Sequence, residues 1–92
     1  MKEYVIEGNW GYAAVKEDAI YIPVIYGDMS KILKELYERT KQKRMIFTAV
    51  LNPESFKKHL KNIKREWDHW WEEMEAFSYC IEIEYEPKGG EI

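Results

Sequence analysis

One cysteine, three prolines and five glycines leave this 92-residue chain with few covalent staples and few breakers. Cys80 has no second thiol to pair with, so an internal disulfide is excluded, and a lone thiol fits a reducing compartment. No apolar run approaches the roughly 20 residues of a membrane helix. No charged and apolar leader opens the chain either. The expectation is a soluble, cytoplasmic protein with no membrane partner. One-sided charge is also missing: 17 acidic and 14 basic residues give a formal −3. Non-specific duplex binding rests on a cationic excess, so nucleic acid is disfavoured as a partner. There is no H-E-x-x-H and no cysteine pair, and no metal site is expected.

Aromatic residues are plentiful, with four Trp, seven Tyr and three Phe. Ninety-two residues make one small domain, and a domain of that size needs a dense core or a shared one. Aromatic side chains supply area for either, as core or as an exposed partner face. Glu and Lys dominate the charged set while Gln, Ser and Thr are scarce, a usage that resembles thermophile proteins.

The chain is organised around Ala19–Leu51. AIYIPVIYG reads as a strand closed by Gly27, DMSKILKELYERTKQK as an amphipathic helix, and RMIFTAVLN as a second buried strand. Such a unit is a right-handed crossover between parallel strands. Asp28 suits the helix N-cap, and Met29, Ile32, Leu33, Leu36, Tyr37 and Thr40 form one stripe at helical spacing. Upstream, Tyr4–Glu7 and Trp10–Val15 read as strands, the second forming a hairpin with Ala19–Tyr26. Pro23 cannot donate to a ladder, so it marks an edge or a bulge.

Asn52-Pro53-Glu54 starts a second helix. Its continuation has two readings. Phe56, Leu60, Ile63, Trp67, Trp70, Met74 and Phe77 keep helical spacing to about Glu73, which favours one long helix by a small margin. Alternatively the helix ends near Lys64, and REWDHWW is extended with Trp67, His69 and Trp71 on one face. Phe77–Glu86 alternates as a final strand, Pro87 stops it, and residues 88–92 form an expected mobile tail. The predicted fold is α+β: a single domain over residues 1–87, ordered β-β-β-α-β-α-β, with a mixed sheet flanked by two helices.

From about Trp10 to Tyr85 this order resembles the core of the GNAT family of acyl-CoA N-acyltransferases. Phe47–Leu51, Asn52 and PESFKKHL look like that family's strand, its Asn and the N-x-x-A-hydrophobic-x-F-Y helix that follows. The resemblance implies a strand splayed from its parallel neighbour, its backbone holding a pantetheine arm along Val24, Ile25 and Tyr26. The cofactor, acetyl-CoA or coenzyme A, would set its phosphates near Gly27 and Ser30, with Asn52 close by. The family's Q/R-x-x-G-x-G/A loop is replaced by YGDMSK, which puts Asp28 beside an anionic diphosphate. Its first strand and early helices are absent or reduced to Lys2–Glu7.

By the same resemblance, His59 falls on the residue that protonates the departing thiolate. Glu82 or Glu84 would relay the proton of an acceptor amine, small molecule or protein. The plainer role of His59 is a solvated helix face beside Lys58 and Lys61. For Glu82, Glu84 and Glu86 it is the solvated side of a sheet, and for His69 it is packing among aromatics. Lys57, Lys58, Lys61, Lys64 and Arg65 with the nearby Trp residues suit single-stranded nucleic acid, or simply a charged helix face. Three functions follow: N-acetyl transfer or coenzyme A binding; a non-catalytic interaction module that uses its Trp-rich segment for dimerisation or a protein partner; and, behind both, a small nucleic-acid or regulatory protein. A homodimer is expected under either of the first two.

Overall fold

Alternating burial builds the sheet. A computed structural model describes residues 2–87, so the expected tail at 88–92 lies outside them. The strands are β1 (Tyr4–Gly8), β2 (Gly11–Val15), β3 (Ile20–Ile25), β4 (Arg44–Phe47), β5 (Ile63–Trp71) and β6 (Ala76–Glu84). Helix α1 (Met29–Thr40) joins β3 to β4, and the short α2 (Pro53–Lys57) lies between β4 and β5. All six strands form one mixed sheet in the order β1-β2-β3-β4-β6-β5. Only β3 and β4 run parallel; the other neighbours are antiparallel. The fold is therefore α+β, with one strand more than the predicted order.

Both helices cover the same face of the sheet. Ile32, Leu33 and Leu36 of α1 join Ile20, Ile22, Met45, Phe47, Ile81 and Ile83 in the main core, with Phe56 of α2 packed against it. Phe56 meets Phe47 edge to face, ring centroids 5.0 Å apart, a geometry aromatic quadrupoles prefer. Asp28 caps α1 by accepting the Lys31 amide, and a left-handed Lys41 closes it. The opposite face carries a separate small cluster of Ala19, Ile46 and Cys80 beneath Tyr21 and Trp67.

The single long helix is not formed. Helix α2 ends at Lys57, and after three further turn bonds Asn62 adopts a left-handed φ of 60°. From Ile63 the chain pairs with β6, with Trp67 opposite Cys80, His69 opposite Ser78 and Trp71 opposite Ala76. Trp67, His69 and Trp71 are half-buried while their neighbours are exposed, as the extended reading requires. Aromatics at spacings of four and three also fit a helix. Cross-strand pairing with β6, worth about 0.2–1 kcal/mol per pair, is what selects the strand. Pairing of β4 with β6 ends at Phe47 opposite Ile81, so the β5–β6 hairpin runs on past the sheet.

A hydrogen-bonded ion pair of Lys57, Glu66 and Tyr79 ties α2 to that hairpin. The Tyr79 hydroxyl donates to Glu66 at 2.6 Å, and Lys57 lies 3.1 Å from the same carboxylate. The Tyr79 hydrogen bond first, and then Lys57, hold Glu66 below its ordinary 4.5. A carboxylate lowered on folding stabilises the fold above its unfolded-state value, and that contribution is lost as pH falls through the folded value.

Two measurements check this packing. Phe47→Ala is expected to cost about 3–5 kcal/mol in urea denaturation, whereas Leu51→Ala, at a side chain 96% exposed, should change stability by less than about 0.5 kcal/mol. The stability advantage of the native chain over Glu66→Gln should be full well above pH 4.5 and shrink as pH drops below it.

Candidate functional site

Pairing between β3 and β4 lasts only three residues, Ile20–Met45, Tyr21–Ile46 and Ile22–Phe47. One further bond, from the Thr48 amide to the Ile22 carbonyl at 3.1 Å, ends it. Next along β3 stands Pro23, which has no amide hydrogen to offer, and the β2–β3 register shifts beside it. The chain holds to β2 instead: Val24 lies opposite Tyr12, Ile25 opposite Gly11, and the Tyr26 amide donates to Trp10 at 2.6 Å. On the other side Ala49 takes a left-handed φ of 55°, a conformation costing a non-glycine residue about 1 kcal/mol or more. The Val50 amide then reaches Tyr79 on β6. The two parallel strands therefore part at their carboxyl ends.

Gly11 permits this arrangement. Its φ is 128°, and a Cβ there would stand 2.3 Å from the Val24 carbonyl oxygen. No other residue type lets β2 follow β3 so closely after the bulge.

A cleft of about 550 Å³ opens between the parted strands. Val24, Ile25 and Tyr26 form one wall, and Val50, Asn52 and Phe56 contribute to the other. The Asn52 side chain caps α2 by accepting the Ser55 amide at 3.4 Å, which fixes it at the rim. His59 follows the end of α2, is exposed, and lines the mouth. The same imidazole borders a depression at the start of α1 with Gly27, Asp28, Ser30 and Lys58. It also borders a groove of about 410 Å³ with Lys31, Lys34, Lys61 and Glu84. His59 is thus the junction of three adjoining concavities.

The structure gathers Val24, Ile25, Tyr26, Asn52 and His59 at the cleft, with Gly27 and Ser30 next to it. Glu84 is exposed along the α1 groove, its contact with Lys64 being 4.0 Å. Glu82 is elsewhere. It shares the opposite face with Cys80, where Arg44 donates to it at 2.9 Å and 3.4 Å, and the Arg65 Nε stands 3.4 Å away. Its side chain is 14% exposed. The hydrogen bond to Glu82 raises Arg44 above its ordinary value. A carboxylate gripped by two guanidiniums is a structural anion, poorly placed to accept a substrate proton.

Sequence reasoning passed over Thr48 and Lys58's place at the α1 start. Thr48 carried a signal: it is the one polar residue in MIFTAVL. Among the described residues no group of three or more metal-ligating side chains comes together, and no helix is long and apolar enough to cross a membrane.

No protein-family model, curated protein or solved structure matches the chain.

The two glutamates should respond differently to removal. Glu82→Ala leaves two guanidiniums facing each other over a half-covered sheet and is expected to cost about 2 kcal/mol. Glu84→Ala should cost less than about 0.5 kcal/mol. Thermal or urea unfolding of the two variants checks both.

Proposed function

We propose that this chain is an acyl-CoA-binding protein with a trimmed GNAT-like fold, whose splayed cleft takes the pantetheine arm and thioester. The observation that carries the reading is the parting of β3 from β4 directly before α1. It leaves an elongated, largely apolar cleft leading to a helix N-terminus, where amides and the helix dipole favour phosphate. Asp28 opposes an anion there, and Lys58 beside it offsets that charge, with Lys31, Lys34 and Lys61 along the adjoining groove.

In N-acetyl transfer, the acceptor amine attacks the thioester carbonyl and the C–S bond breaks. The amine nitrogen loses its extra proton, and the departing thiolate takes one from His59. The backbone near Ile25 would polarise the carbonyl; the amide of Tyr26 is already committed to Trp10. With Glu82 locked by arginines, the nitrogen's proton passes to water or to Glu84. Coenzyme A binding without turnover uses the same cleft.

A second reading is favoured by one observation. Trp70, Met74 and Phe77 are 46%, 65% and 66% exposed at the far end of the β5–β6 hairpin. Exposed aromatics on a projecting ribbon suit a protein contact, and homodimerisation through this hairpin is the interaction-module alternative. Trp70→Ala turning a dimer into a monomer in sedimentation would support it.

Calorimetric titration with coenzyme A and acetyl-CoA, at low and moderate salt, tests the first reading. Micromolar binding is expected, weakened about tenfold by Lys58→Ala through the loss of one charge-assisted contact. In the presence of an acceptor amine, His59→Phe should abolish transfer while binding persists. The absence of both heat and thermal stabilisation at millimolar ligand would remove the acyl-CoA reading.

A further inference from the structure

The face of the sheet without helices carries a separate concavity, of about 260 Å³, lined by Tyr21, Arg65, Trp67, His69 and Trp71 over a floor of Ile46 and Cys80. The floor is apolar: Ile46 and Cys80 are 2% and 1% exposed, and burial pushes the Cys80 thiol up, keeping it neutral. The walls are flat rings. The Trp71 indole is fixed by donating to Ser78 at 2.9 Å, and the His69 ring packs against it with centroids 4.2 Å apart.

Charge decides what these walls would accept. Arg44 is spent, bound to Glu82 on one side and 3.6 Å from Asp18 on the other. Asp18 in turn accepts from the Tyr21 hydroxyl at 3.0 Å, and Glu82 is gripped by both arginines. The carboxylates of this face are therefore satisfied. Arg65 is not. Its guanidinium lies 3.8 Å from the Trp67 ring centroid, and its one polar contact is from Nε to Glu82 at 3.4 Å. Among the described residues its terminal amino groups and both nitrogens of His69 have no hydrogen-bond partner. Open Arg65 donors stand beside aromatic rings, while the nearby carboxylates Asp18 and Glu82 are already engaged.

We propose that this concavity binds a small planar aromatic carboxylate, its ring over the Ile46–Cys80 floor between Tyr21, Trp67 and Trp71 and its carboxylate on the outer edge of Arg65 and on His69. Arginine presents a fork that matches a carboxylate, and surrounding aromatic rings suit an aromatic guest edge to face. The volume falls just below the roughly 300–1,000 Å³ of pockets for drug-sized ligands, which limits the occupant to one ring system with a short acidic arm. Thr48 lines both this concavity and the cleft on the other face, so the two sites would be neighbours across the sheet. The inference does not depend on coenzyme A binding, because its test reads this face alone.

Three probes with one ring and different charge provide the test: indole-3-acetate, indole and tryptamine. Each is titrated into ¹⁵N-labelled protein while the indole N–H signals of Trp10, Trp67, Trp70 and Trp71 are followed. Indole-3-acetate should shift Trp67 and Trp71, leave Trp10 and Trp70 in place, and bind at least tenfold more tightly than indole or tryptamine. Arg65→Gln should erase that preference with the Trp10 signal unmoved, showing an intact fold. Equal affinities, a preference for tryptamine, shifts at Trp70 alone, no shift at millimolar probe, or an unaltered preference in Arg65→Gln would each overturn the proposal.

Discussion

Everything at the candidate site depends on the short parallel seam between β3 and β4. Three residue pairs and the Thr48–Ile22 bond hold it. A longer seam would close the cleft and leave Val24 and Ile25 paired on both sides. Pro23 withholds a donor from β2 at the β2–β3 register shift, Gly11 lets β2 keep the departing strand, and left-handed Ala49 turns the chain after β4 toward β6. Backbone chemistry at three separated positions thus produces one opening, and α1 begins where the departing strand ends. The side chains that would serve a ligand are arranged around a gap they do not themselves create.

The two faces of the sheet reach burial by different means. One is packed against α1 and α2 in the ordinary way, with aliphatic side chains interlocking. The other has no helix, yet Ala19, Ile46 and Cys80 are as inaccessible as residues of the main core. Long side chains lie flat over them: Tyr21 tied to Asp18, Arg44 and Arg65 tied to Glu82, and Trp67 under the Arg65 guanidinium. The stems and rings bury apolar surface while the charged ends remain in water. Glu82, a candidate for proton relay in the sequence, is the centre of that cover.

The parts of this fold that were legible before the coordinates are those carried by local signals. Asp28 as cap, the stripe from Met29 to Thr40, and the apolar run from Met45 each specify their element independently, and together they define the β3-α1-β4 crossover. Trp67, Trp70, Met74 and Phe77 fit a helix while Trp67, His69 and Trp71 fit a strand, because aromatic residues are at home in both. Only pairing with β6, invisible to a local reading, separates them. The site divides similarly. Val24, Ile25, Tyr26 and Asn52 flank the crossover, so locating it located them. The role of Glu82 depends on Arg44, 38 residues away in sequence, and no spacing rule reaches that far.

The seam also divides the molecule mechanically. β1, β2 and β3 form one antiparallel block, and β4, β6 and β5 form another, with β5 and β6 paired at eight positions of their hairpin. A load drawn across the sheet meets four to eight paired positions at each ladder inside the blocks and three between them. The line of least resistance therefore begins at the open end of the cleft, as a tear begins at a notch. Any molecule seated there would stitch the notch closed, coupling its own dissociation to the rigidity of the whole sheet.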